Sequence, residues 1–157
     1  MKVTAGAWVS RSLVWLGGAA AYALLRKPDA GSIQSVRTDA IGVLGLTLVA
    51  AGLALHAWSN VSLALAESAP VQATAGLAMV GPFKYTRNPI YVAGIVLLLG
   101  IGLSYSPWRA ADLAVPAVLA AFFHLRIVRF EEPALRQRFG SSYGDYCGRV
   151  PRWLPGI

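Results

Sequence analysis

Residues 40–58 read AIGVLGLTLVAAGLALHAW, interrupted only by Thr47 and His56. A helix that crosses a bilayer needs about 20 mainly apolar residues, and this stretch meets that need without a charge. It sets the fold class as an all-α integral membrane protein. Working outward, Pro89–Trp108 is equally clean and opens with proline, which suits a first helical turn. Ala110–Val128 has Asp112 near one end and Arg126 near the other, with Pro116 as a kink point. Ala5–Leu25 is the weakest because Arg11 must snorkel or find a partner. The expectation is one domain over residues 1–157 with about four transmembrane helices: residues 5–25, 40–58, 89–108 and 110–128. The last two form a helical hairpin, and an amphipathic tail follows over 129–157.

Composition agrees. The 157 residues are 56% hydrophobic and only 13% charged, whereas soluble domains carry roughly a quarter charged residues. The net charge of +7 is concentrated beside the apolar spans. That placement points to anionic lipid headgroups and away from nucleic acid. Cys147 is the single cysteine, which excludes an intrachain disulfide, and neither HExxH nor CxxC occurs, so no metal site is expected. Neither GxGxxG nor GxxxxGK[ST] is present, so no nucleotide-binding loop is legible. The N-terminal run contains Arg11 and continues to Leu25 without a small-residue cleavage pattern, so it does not read as a signal peptide.

Between the spans, residues 26–39 form a polar turn. Residues 59–86, with Pro70, Gly76 and Gly81-Pro82, read as a membrane-surface loop. After Val128 a charged amphipathic helix is predicted to run to Phe139 and stop at Gly140. The aromatic, basic tail Tyr143–Pro155 favours the membrane interface. With both termini on one side, that side carries ten Lys and Arg against four on the other. This places the N- and C-termini in the cytoplasm of a bacterial-type inner membrane.

Two polar clusters flank the hairpin. The first is Gly81-Pro-Phe-Lys-Tyr85-Thr-Arg87-Asn88-Pro89-Ile-Tyr91; the second runs from His124 through Arg126 and Arg129 to Glu131-Glu132. The hairpin returns the chain to the same side, so the clusters are expected to be neighbours. Singly, each residue has a structural reading. Arg87 and Lys84 anchor a helix end in headgroups, Tyr85 and Tyr91 belong to an aromatic belt, and Glu132 with Arg136 makes a helix-surface ion pair.

Taken together, the first cluster, the Glu131-Glu132 pair and the ending Phe139-Gly140-x-x-Tyr143-x-x-Tyr146-x-x-Arg149-Val150-Pro151-Arg152-x-x-Pro155 resemble a superfamily. It is that of the membrane methyltransferases typified by isoprenylcysteine carboxyl methyltransferase and phosphatidylethanolamine N-methyltransferase. The likeness covers roughly the last half of the chain. Where the family often has histidine, this chain has Asn88, which cannot titrate.

The resemblance implies an S-adenosylmethionine-dependent methyltransferase whose cofactor pocket is built from the hairpin and tail. It implies Arg87, Tyr91 and Glu131 as catalytic residues. It implies cofactor contacts from Tyr85, Arg87, Asn88, Pro89, Tyr91, His124, Glu131, Glu132, Tyr143 and Tyr146. Arg87 would pair with the cofactor carboxylate, and Glu131 or Glu132 would hold its ammonium or ribose. Tyr85 or Tyr91 would face the sulfonium, and His124 or Tyr91 is the candidate base. The implied acceptor is lipophilic: an isoprenylcysteine carboxylate, a lipid amine, or a small hydrophobic thiol or alcohol. Two rival readings are an NADPH-dependent membrane reductase of the sterol-reductase type and a non-enzymatic membrane scaffold.

Overall fold

The computed structural model describes residues 16–22, 35–68, 80–106 and 110–154. Its elements are β1 (Ser35–Val36), α1 (Ala40–Ser68), a 3-10 turn (Gly81–Lys84), α2 (Pro89–Ser104) and β2 (Tyr105–Ser106). They continue with α3 (Ala111–Arg126), a π-helical turn (Ile127–Glu131), α4 (Glu132–Phe139) and α5 (Ser141–Arg149). Of the expected first span, residues 16–22 are helical and the remainder lies outside the described residues, as do residues 107–109 of the hairpin link.

Two helical stretches, Ala40–Ala66 and the continuous run Asp112–Phe139, are long and apolar enough to cross a membrane. Only 22% and 11% of their most apolar windows are buried within the protein. Large apolar side chains such as Val43, Leu53, Val61 and Leu65 on α1, and Val118 and Phe122 on α3, are exposed. That exposure suits lipid as the surrounding solvent.

Two expectations change. Helix α1 does not end near Trp58: Ser59 Oγ donates to Leu55 O at 2.7 Å and Asn60 Nδ2 to His56 O at 2.8 Å. These polar side chains discharge onto their own helix, and no Gly or Pro intervenes before Pro70. Helix α2 is 16 residues long, because from Tyr105 the backbone turns extended. Within the tail, residues 141–149 form α5, and Tyr143, Tyr146 and Val150 are buried at helical spacing and pack with Leu135, Phe139 and Cys147.

The chain divides into two compact units, one from Met1–Ala54 and Ala93–Leu119, the other from Leu55–Val92 and Ala120–Ile157. In the first, α1 and α2 approach through small residues. A Cβ at Gly52 would lie 2.9 Å from Ala93 O, and one at Gly45 would lie 2.7 Å from Ser104 N. One at Gly100 would lie 2.6 Å from Val49 N. Close backbone approach of this kind supplies the dispersion contact that holds helices together in lipid. Asp39 begins α1 by accepting from Gly42 N at 2.9 Å. Arg37 and the Gly42 amide hold the exposed Asp39 carboxyl down at about 2. The strands pair antiparallel, Ser35 opposite Ser106 and Val36 opposite Tyr105. Asp112, expected near a span end, is buried and accepts from Tyr22 Oη at 2.8 Å. A cleft of about 150 Å³ beside the strand pair is lined by Val36, Leu46, Val49, Ile101, Ser104 and Tyr105, none of them a residue singled out for chemistry.

Candidate functional site

In the second unit the 3-10 turn holds the site in place. Pro82 is fully buried, and its carbonyl accepts from Tyr85 N and Thr86 N. Gly81 has φ +53, and a Cβ there would fall 2.0 Å from Ser62 Oγ, so only glycine fits this approach to α1. The segment after the turn is tied to the chain's end. Arg87 N donates to Pro151 O at 2.9 Å, and Arg152 O accepts from Thr86 Oγ1 at 3.2 Å and Asn88 Nδ2 at 2.9 Å. Tyr146 Oη adds a bond to Phe83 O at 2.8 Å. Pro89 then starts α2 with a position that needs no N–H.

This framework carries a buried ionic network centred on Glu132. Its Oε1 accepts from Arg87 Nη1 at 3.0 Å and from Arg152 Nε at 2.7 Å, and its Oε2 accepts from Arg152 Nη2 at 3.0 Å. Arg136 Nη2 lies 3.9 Å from Oε2. The Glu132–Arg136 pair is therefore not the helix-surface pair that sequence spacing implies: the Glu132 side chain is 6% exposed and chiefly serves Arg87 and Arg152. Arg87 Nη1 also reaches Cys147 Sγ at 2.9 Å, while its Nε is buried without a hydrogen-bond partner among the described residues. The Glu132 hydrogen bond raises the Arg152 guanidinium further above its ordinary value. Burial, with Cys147 and the Glu132 carboxylate beside it, pushes the Tyr143 hydroxyl up to about 12. Burial likewise raises Tyr146.

Glu131 belongs to a second network. Tyr91 Oη donates to its Oε1 at 2.6 Å, and Arg126 Nη1 donates to Tyr91 Oη at 2.6 Å and lies 2.7 Å from Glu131 Oε1. The Tyr91 ring stacks on Phe123 with centroids 4.6 Å apart. The π-helical turn lies where the two adjacent carboxylates part, with Glu132 N bonded back to Ile127 O. Such turns insert a residue into a helix and re-aim its side chains.

The structure thus brings Arg87 to Glu132 and Tyr91 to Glu131. It commits Asn88 to Arg152 O, buries Pro89, and packs Tyr143 and Tyr146 in the α5 core. His124 Nδ1 accepts from Trp153 Nε1 at 3.2 Å, which leaves the ring proton on Nε2. Tyr85 is 60% exposed. Arg152, Cys147, Thr86 and Trp153 were not singled out from sequence. Two of them carry a signal in the sequence: Arg152 as the last basic residue of the Arg149-Val-Pro-Arg152 ending, and Thr86 as a member of the 81–91 cluster.

The donor set suits a small zwitterion. Arg87 offers a buried Nε without a partner among the described residues, and the part-exposed Arg126–Glu131 ion pair places one charge of each sign nearby in the same unit. A cofactor bearing both a carboxylate and an ammonium would find a partner for each. Among the described residues, no three His, Cys, Asp or Glu side chains gather as a metal site requires.

Comparison with known proteins matches residues 40–142 to the family described as phospholipid methyltransferase. The chain is similar to the nickel-cobalt-cadmium resistance protein NccN of Alcaligenes xylosoxydans xylosoxydans, 26% identical over 120 residues that make up 74% of this chain and 49% of that protein. It is also similar to the cobalt-zinc-cadmium resistance protein CzcN of Cupriavidus metallidurans, 32% identical over 84 residues, or 52% of this chain and 36% of that protein. The matched stretches thus span about half or less of these curated relatives. No solved structure matches.

Proposed function

The chain belongs to the phospholipid methyltransferase family, and from that premise we propose that it transfers a methyl group from S-adenosylmethionine to a lipophilic acceptor at the cytoplasmic face of the membrane. The observation that carries the reading is the pairing of Arg87, with its buried unpartnered Nε, and Glu132 beside the separate Tyr91–Glu131–Arg126 network.

When bound, S-adenosylmethionine supplies an electrophilic methyl group on a sulfonium. Arg87 would hold the cofactor carboxylate, with Glu132 Oε1 fixing its guanidinium through the 3.0 Å bond to Nη1. Glu131 would accept from the ammonium. For a nucleophile that carries a proton, Tyr91 Oη relays it to Glu131 Oε1 along their 2.6 Å bond. Positive charge disperses in the displacement, so alignment and exclusion of water dominate over acid–base work. The excess of Lys and Arg on the side of the termini supports the cytoplasmic placement.

The test is transfer of tritium from methyl-labelled S-adenosylmethionine into material extractable by organic solvent, using purified protein in bilayer nanodiscs. Label should enter the lipid phase with wild type and not with Tyr91→Phe/Glu131→Gln. Equal incorporation by that double variant removes the second network from the chemistry. Absence of incorporation with every class of lipophilic acceptor contradicts the reading.

A further inference from the structure

Helix α1 carries an unusual face within its apolar run. His56 is 7% exposed and Ser59 is fully buried, with Asn60 partly buried beside them. Residues 56 and 60 lie one above the other, about 6 Å apart along the helix axis. Ser59 is satisfied on Leu55 O. Asn60 is only half satisfied. Its Nδ2 donates to His56 O, and because a carbonyl can only accept, the amide nitrogen must face it. Asn60 Oδ1 and His56 Nε2 are both buried without a hydrogen-bond partner among the described residues. Neither takes part in the Arg87 or the Tyr91 network.

Buried polar atoms are almost always paired, and the demand is sharpest inside a membrane, where no bulk solvent can serve them. Two orphans stacked on one face of a spanning helix call for a partner that meets both. Asn60 Oδ1 accepts only, so the partner must donate. The imidazole nitrogen takes either sense according to its tautomer. A hydroxyl or an amine both donates and accepts; an ester or a carboxylate only accepts.

We propose that the His56–Asn60 face of α1 binds the polar head of a lipophilic ligand, and that this head is a hydroxyl or an amine. The site draws its chemistry from α1 alone. It rests on the methyl-transfer reading only for the further identification of that ligand as the methyl acceptor.

The experiment follows the imidazole nitrogen resonances of the full chain, labelled with 15N-histidine, in nanodiscs. His56 is told from His124, the second of the two histidines, by a His124→Gln sample. The probes are 1-dodecanol, dodecylamine and methyl laurate, whose ester head accepts but does not donate. A saturable shift of His56 Nε2 with dodecanol or dodecylamine, and none with methyl laurate, is expected. Asn60→Leu should weaken that response about tenfold, the size of one net hydrogen bond. No response to any probe, or an equal response to methyl laurate, overturns the proposal, and both comparisons use the wild-type chain. S-adenosylmethionine is titrated into the same samples. If it fails to bind while the alcohol shifts His56, the methyl-transfer reading falls and the head-group site stands. If it binds while no probe moves His56, the reverse holds.

Discussion

Arg87 and Arg152 share one oxygen of Glu132, with Nη1 at 3.0 Å and Nε at 2.7 Å. Residues 65 positions apart are thus coupled through a single buried carboxylate. Arg152 acts twice, since its own carbonyl holds Thr86 and Asn88 on either side of Arg87.

Removing Glu132 leaves two guanidiniums facing each other in a largely buried place. Glu132→Ala should lower stability by about 3 kcal/mol, the usual cost of stranding a buried charge. Glu131→Ala, which removes a part-exposed carboxylate and releases the more exposed Arg126, should cost under about 1 kcal/mol. Denaturant-induced loss of α-helical signal in mild detergent checks both. Equal effects would mean that Glu132 is not the hub.

Arg152→Lys keeps the charge but loses the two-pronged grip on Glu132 Oε1 and Oε2. Its backbone carbonyl is untouched, so the 86–88 segment should stay docked. The expected result is a several-fold weaker cofactor affinity with a stability loss of about 1 kcal/mol. Calorimetric titration alongside thermal unfolding separates the two effects.

Glycine positions should split by available space. Gly52→Val drives side-chain atoms into Ala93 O and Leu97 N and should destabilise by about 1–3 kcal/mol or more. Gly144 has nothing within 4 Å and lies inside α5, so Gly144→Ala should stabilise by about 0.5–1 kcal/mol. Thermal unfolding of the two variants should move in opposite directions.

The Tyr143 hydroxyl, raised to about 12 against an ordinary 10, remains protonated long after the unfolded chain has begun to lose that proton. Its contribution to stability is therefore complete below pH 10 and is lost as pH rises towards 12. Tyr143→Phe should flatten that part of the pH–stability curve and remove one late step from the ultraviolet titration of the tyrosines.

Sequence and structure agree best where composition alone decides. The apolar register of residues 40–58 announces a spanning helix whatever it packs against. Its continuation to Ser68 was hidden because Ser59 and Asn60 look like loop residues until their bonds to Leu55 O and His56 O are seen. Helix α5 was hidden by Gly144 and Gly148, which weaken local propensity; packing of Tyr143, Tyr146 and Val150 overrides it. In the candidate site, Arg87, Tyr91 and the two glutamates stood out as charged or aromatic groups at span ends. Their division into separate networks was not legible, since it depends on the π-helical turn and on Arg152 arriving from the far end of the chain.

The most direct test of the central claim is calorimetric binding of S-adenosylmethionine and S-adenosylhomocysteine to the purified, folded protein. Wild type is compared with Arg87→Ala/Glu132→Gln, a pair that removes the arginine without stranding a buried carboxylate. Saturable binding of both ligands by wild type, lost in the double variant while its helical signal and unfolding transition persist, is the predicted result. Failure of the wild-type protein to bind either ligand, or undiminished binding by the double variant, would contradict the account.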